Sequence, residues 1–354
     1  MKRILSLVVA MLMIISLTAC NSNQGSTDKE TKKIIDAAGD EVIIPAKVDT
    51  VINLVTYGCQ VMVGLGFGDY LVGINVDAIE SPWMAEMYPR TNEIEKFDQE
   101  ASAEILLRAN ADIVLVQEAE QARDLRSKGV TAVTFSYWSL EDMKATIKML
   151  GDILGGDAVE KCNKYIAYLD GNIALVENTL KDKVLEKETL YYINGVSNKG
   201  LYKTAGKGST NSACAQLSHT IFATDSLIES PANKVDSEAI LSVNPQNIII
   251  GGKYQHVLYD ELMVTSEWSN NTAVKNGHVF KVPMGISAWN RYGIEIALMI
   301  TWTSAVVYPE YFEYDLVKET IDFYKEFTGI TLTEQQAQYI LEGLTPSGEK
   351  EITN

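Results

Sequence analysis

Arg291 lies between two large rings in the stretch PMGISAWNRYGIE, with Trp289 shortly before it and Tyr292 directly after. A guanidinium is a rigid, permanently charged fork that matches carboxylate, catecholate or phosphate oxygens. Trp and Tyr add flat apolar area with a polar tip. This is recognition chemistry. Similar sets recur along the chain. Tyr57 follows VINLV, Trp83 and Arg90 fall in VDAIESPWMAEMYPR, and Tyr137 and Trp138 follow TFS. In the second half, NGVSNKGLYKTAGKGSTNS holds Tyr202, Lys203 and Lys207, and GGKYQH holds Lys253, Tyr254 and His256. Each also has an ordinary structural reading, as packing at a helix start or as a solvated face.

Bond-making chemistry has no comparable signature. The chain lacks a G-x-S-x-G elbow, an H-E-x-x-H helix and a P-loop. GFGDYLVG departs from G-x-G-x-x-G by a leucine at the last position, and the three histidines are scattered. Beyond Cys20, the cysteines Cys59, Cys162 and Cys214 are far apart and odd in number, so they imply neither a disulfide framework nor a zinc site. They read as small buried hydrophobes. The net charge of −17 argues against nucleic acid and against a polybasic grip on lipid. A non-enzymatic monomer with no resident cofactor or metal is expected.

The elements that must position these loops alternate. VDTVINLV, YLVGIN, ADIVLV and TAVTFSY read as buried strands with helices between them, and ETLYYIN, QNIIIGG and HVFKVP repeat the pattern. Strands alternating with helices imply an α/β fold with mostly parallel sheets. Between the halves runs a proline-free helical stretch with one weak point at Gly171. We expect an N-terminal lobe over residues 34–156, a linking helix over 157–187 and a C-terminal lobe over 188–354. Such a helix rises roughly 1.5 Å per residue and suits a stiff spine. The ligand cleft is expected between the lobes, beyond the carboxyl ends of the strands. All the loops named above follow strands, and Trp302, inside the following helix, reads as core.

Two segments resemble one another. SAEILLRANADIVLV from Ser102 and DSEAILSVNPQNIII from Asp236 align so that Glu104 meets Glu238 and Asn110 meets Asn244. Ser and Asp suit the N-cap, and a first-turn Glu suits the helix dipole. At the N-terminus, Lys2 and Arg3 precede an apolar run and then LTAC. The run is too short to span a bilayer and fits a signal peptide over residues 1–19. LTAC resembles a bacterial lipobox, which implies lipidation of Cys20 and a polar tether over residues 20–33. The protein would then sit on the outer face of the cell membrane.

These pieces together resemble the substrate-binding proteins of ABC importers, in the group joined by one backbone helix that handles ferric siderophores, haem and cobalamin. KIIDAAGDEVIIP resembles the opening hairpin, with a D-x-x-G-x-x-V-x-I-P pattern. LGFGDYLVG resembles the first lobe's turn, and Tyr308 to Tyr311 resemble the C-terminal YPE signature. The resemblance implies capture of a metal chelate, most simply a ferric siderophore, and delivery to a permease dimer with ATPase subunits. It implies that Glu104 and Glu238 dock on that permease. Haem, with Tyr254 or His256 as axial ligand, cobalamin, or a molybdate or tungstate oxyanion are the alternatives. A surface adhesin or sensor on the same fold is a further one. The loop aromatics favour a large ligand over a bare ion, and the second-half cations favour an anionic chelate.

Overall fold

The structure is a computed structural model that describes residues 30–183, 186–195, 197, 200–230 and 234–351. Cys20 and the signal segment lie outside the described residues. Among those residues the strands form three sheets. An antiparallel hairpin pairs β1 (Thr31–Ile35) with β2 (Glu41–Pro45). A five-stranded parallel sheet has the order β5-β4-β3-β6-β7, built from β3 (Val51–Asn53), β4 (Leu71–Asn75), β5 (Glu95–Phe97), β6 (Ile113–Val116) and β7 (Ala132–Thr134). A four-stranded parallel sheet has the order β11-β10-β8-β9, from β8 (Thr189–Asn194), β9 (Ile221–Phe222), β10 (Asn247–Gly251) and β11 (Val279–Lys281).

The central strands are apolar because both faces are covered. β6 (IVLV) and β10 (NIIIG) are buried throughout. Alternate residues serve different cores. Ile113 and Leu115 join the main core, while Val114 and Val116 join a smaller one behind the first sheet. In the second sheet Leu190 and Tyr192 face the main core, and Tyr191 and Ile193 face away from it. The main core is therefore continuous across the two lobes.

The spine is the reason. The helix Asp157–Leu180 runs unbroken through Gly171 and rises about 36 Å. Its buried residues Tyr165, Leu169 and Val176 belong to the shared core. Tyr165 donates to the Ile294 carbonyl at 2.9 Å and Asn172 to the Ala297 carbonyl at 2.8 Å. The helix stops at Leu180, short of the expected Lys187. Trp302 is core, as its place inside the helix Ile296–Val307 suggests.

Folding also begins earlier than expected. Thr31, Lys32 and Lys33 form a strand, not a tether. Their charges obscured the strand, yet each lysine has a partner. Lys32 donates to the Asp152 and Ile153 carbonyls at 2.8 Å each, which closes the end of the helix Leu140–Leu154, and Lys33 pairs with Glu41 at 2.8 Å. No helix among the described residues is long and apolar enough to cross a membrane.

Candidate functional site in the interlobe cleft

In each sheet the chain builds outward from one strand and then crosses to its other side. The points of reversal, β3/β6 and β8/β10, leave crevices at the carboxyl edges. The two crevices face each other and enclose a cavity of about 970 Å³.

The first-lobe wall depends on two buried asparagines that end β3 and β4. Asn53 Oδ1 accepts the Val55 N–H at 3.0 Å, and Asn75 Nδ2 donates to the Leu54 carbonyl at 2.9 Å. These bonds turn the chain off the sheet edge and start the helix Thr56–Gly64, whose Thr56, Tyr57 and Gln60 line the cavity. In the second lobe Tyr192 projects from β8. Its hydroxyl has room only because β10 ends on glycine: a Cβ on Gly251 would stand 2.0 Å from it. Asn290 Nδ2 donates to that hydroxyl at 2.7 Å and to Asn211 Oδ1 at 3.3 Å.

The loop that carries Arg291 and Tyr292 is held from behind by Glu295, which is almost fully buried. The Ser287 N–H and hydroxyl donate to its carboxylate at 3.3 and 3.1 Å, and Tyr324 donates at 2.9 Å. Burial pushes the Glu295 carboxyl above its ordinary range, against the pull of these hydrogen bonds. Only glycine fits the loop's closest approach, since a Cβ on Gly285 would lie 1.7 Å from the Tyr324 hydroxyl.

From the front, the loop is pinned by the other lobe. Tyr137 donates to the Tyr292 carbonyl at 2.6 Å, and the Tyr292 hydroxyl donates to the Trp138 carbonyl at 3.2 Å. The Tyr137 ring lies 4.8 Å from Tyr57 and 5.7 Å from Tyr292, centre to centre. Tyr57 and Tyr292 thus meet around a buried third phenol. Burial pushes the Tyr57 hydroxyl up to about 12, so it remains a neutral hydrogen-bonding group near pH 7.

The cavity's two cations, Arg291 and Lys253, each have an acid of the lining to oppose them. Arg291 Nη1 reaches Glu80 Oε1 across the lobes at 3.7 Å. Lys253 attracts the Glu351 carboxylate, whose pKa burial nonetheless raises. Asp77 adds a further acid to the lining.

Of the loop residues expected to bind ligand, Tyr57, Lys253, Arg291 and Tyr292 line the cavity. The rest are placed elsewhere. Trp83 is fully buried, and its indole N–H donates to the Leu344 carbonyl at 2.7 Å. Arg90 is engaged by the Asp69 carbonyl and the Tyr88 hydroxyl, both at 3.1 Å. Tyr137 stands behind the lining, and Trp138 is 72% exposed outside it. The Tyr202 hydroxyl bonds Glu267 and receives the Trp268 indole N–H. Lys203 reaches Ser197, and Lys207 pairs with Glu229 at 3.2 Å. Tyr254 supports the Lys253 ammonium on its ring face at 5.3 Å. Trp289 is buried behind the loop that it introduces.

His256 is likewise buried. Its Nε2 faces the Gly343 carbonyl at 2.9 Å, which fixes the proton on that nitrogen, and burial lowers its pKa. It takes no part in the lining, so the axial-ligand argument for haem loses its histidine. The thiols of Cys59, Cys162 and Cys214 are buried, and burial pushes each up to about 12. They are packing residues.

The composition of the loops drew attention to rings and cations, and so passed over Gln60, Glu80, Tyr192 and Asn290. Glu80 lay in a loop already singled out, and Asn290 lay between two chosen residues. Position beyond a strand's carboxyl end was the usable signal for Glu80 and Asn290, whereas Tyr192 lies inside β8 and Gln60 inside the helix Thr56–Gly64.

The repeated glutamates are exposed, each in the first turn of its helix, Ala103–Ala109 and Ser237–Val243. Both helices end on a left-handed asparagine, Asn110 with φ 54° and Asn244 with φ 51°. Each helix starts from the carboxyl edge of its sheet, so Glu104 and Glu238 stand on the edge that bears the cleft.

Two parallel α/β lobes on a common spine, with a cavity between their carboxyl edges, define a two-lobed solute-binding protein. The chain belongs to the periplasmic binding protein family, whose match spans residues 96–284. It is 25% identical over 299 residues to the iron(3+)-hydroxamate-binding protein FhuD of Bacillus subtilis, across 80% of this chain and 91% of that one. A periplasmic solute binding protein from Veillonella parvula superposes with a TM-score of 0.78 at 23% identity, over 89% of this chain and 97% of that one. The molybdate-bound MolA of Haemophilus influenzae superposes with a TM-score of 0.73 at 19% identity, over 85% and 99%. The family is extracytoplasmic, binds substrates and serves ABC transporters.

Proposed function

We propose that this protein captures a ferric hydroxamate siderophore and delivers it to an ABC permease. The observation that carries this reading is the cavity itself, which is large, lined by phenols and amides, and nearly balanced in charge. About 970 Å³ lies at the upper end of the range for small-molecule sites and far exceeds the needs of a bare oxyanion. Iron held by three hydroxamates is a neutral complex with a shell of polarised oxygens. The Arg291 fork and the Tyr192 hydroxyl, which accepts from Asn290 and so has its own proton to give, suit those oxygens. The similarity to an iron-hydroxamate-binding protein supports the same choice.

The cations expected to attract an anionic chelate bear differently on it. Lys203 and Lys207 do not line the cavity, and Arg291 and Lys253 are each offset by a carboxylate. No three His, Cys, Asp or Glu side chains among the described residues are grouped to hold a metal ion.

The test is titration of the purified protein with ferrichrome, ferric enterobactin, haem, cobalamin and molybdate, followed by intrinsic fluorescence and confirmed by calorimetry. Saturable binding of ferrichrome at micromolar concentration or below is expected. Saturable binding of molybdate alone would sink the siderophore reading.

Docking through Glu104 and Glu238 completes the proposed cycle. Their symmetric, exposed positions on the cleft-bearing edge support it. Glu104→Ala/Glu238→Ala is expected to keep ferrichrome affinity within about twofold and to lose most cellular uptake, because two charge contacts at about 1–2 kcal/mol each amount to more than tenfold. Uptake at the wild-type rate would remove the docking role.

A further inference from the structure

We propose that Glu80 sets the charge selectivity of the cleft, admitting neutral chelates and excluding polyanionic ones. The inference rests on the siderophore reading and adds the residue that chooses among siderophore classes.

Glu80 is held from both sides of the cleft. One carboxylate oxygen, Oε2, accepts from Gln60 Nε2 at 3.3 Å. Gln60 is itself buried, and the same nitrogen donates to the Ala78 carbonyl at 3.3 Å, so the amide is fixed in the first lobe's wall. The other oxygen, Oε1, faces Arg291 of the second lobe at 3.7 Å. The Glu80 side chain is 34% exposed and that of Arg291 47%, and both line the cavity. Each is therefore wet enough to meet a ligand and near enough to the other to cancel its field.

Arg291 alone would make the cavity a trap for anions. With Glu80 beside it, an anion approaching the fork also approaches a carboxylate that the Gln60 amide keeps in place. A neutral hydroxamate complex escapes that penalty, because it offers partial charges on its oxygens without a net charge. A tris-catecholate complex of the same size is a trianion and meets the full repulsion. Asp77 adds to the same sign, while Glu351 offsets Lys253. Glu80 is the acid placed against the arginine, so it is the one whose removal unmasks a cation.

The experiment compares wild type, Glu80→Gln and Glu80→Gln/Arg291→Gln, titrated with ferrichrome and with ferric enterobactin at low and high salt. Glutamine keeps the shape of the side chain and an oxygen for Gln60. We expect Glu80→Gln to raise the ratio of enterobactin affinity to ferrichrome affinity about tenfold or more. That gain should shrink at high salt and vanish in the double variant. An unchanged ratio of the two affinities in Glu80→Gln overturns the inference. Equal loss of both ligands does so as well, since it marks a structural role. Failure of the wild type to bind ferrichrome would instead overturn the hydroxamate reading. The Glu80 inference is then judged on enterobactin alone: a gain in Glu80→Gln supports it and no gain refutes it.

Discussion

Trp83→Ala is expected to lower folding stability by about 3–5 kcal/mol, the range for deleting a large buried aromatic. Its ring is fully buried in the core shared by the lobes, and its N–H is bonded to Leu344 near the end of the chain. The substitution removes packing in the first lobe and releases the segment that crosses back to it from the second. Urea denaturation measures the loss. Trp83→Phe, which keeps most of the ring but not the N–H, is expected to lose less. The sequence alone suggested a cleft residue, and that role predicts the opposite pattern: weakened ligand binding with stability intact. Wild-type stability in Trp83→Ala would restore the cleft role.

Glu295→Ala carries the second large effect. It strands the Ser287 N–H, the Ser287 hydroxyl and the Tyr324 hydroxyl, all directed at the missing carboxylate. A buried donor left without a partner costs about 1–3 kcal/mol. Removing a desolvated carboxyl gives some of this back, so a net loss of about 2–4 kcal/mol is expected. The loop bearing Arg291 and Tyr292 loses its rear anchor, and ferrichrome affinity should fall with it.

A pH profile separates the charge from the packing. Burial raises the Glu295 pKa, so the folded chain holds this proton more tightly than the unfolded chain does. The stability linked to it is full below the ordinary carboxylate value of about 4.3 and is lost as pH rises through the higher folded value. Tyr324 and Tyr165 are the titratable side chains that feel this carboxylate from neighbouring helices, and both remain protonated in that range. Glu295→Gln should lose this slope while keeping part of the loop's anchoring. An identical slope in Glu295→Gln would show that another group is responsible.

Much of the architecture was legible in the sequence because it is written in local patterns. VINLV, ADIVLV and QNIIIGG are apolar on both faces, which only a covered parallel strand requires. Ser102 and Asp236 stand at helix starts, although only the Asp236 side chain caps its helix by accepting the Ala239 N–H, and Asn110 and Asn244 end the helices in the left-handed region. The proline-free run from Asp157 is helical as far as Leu180. Lys32 and Lys33 misled because their partners lie on distant chain segments or on the facing hairpin strand.

The site was legible only as a set of loops. That Arg291 and Tyr292 belong to it followed from their position after β11. Which other side chains join them depends on how two lobes, far apart in sequence, are set against one another by the spine and the shared core. Trp83, Trp289 and His256 turned inward because buried space and a backbone carbonyl, or a close-packed loop, were available to them in three dimensions. Glu80 became a site residue because Gln60 and Arg291, from separate elements, converge on its two oxygens. Strands, caps and the spine are local consequences of residue type and spacing. The cleft's lining and its charge balance arise from contacts between distant segments, and only the folded arrangement decides those.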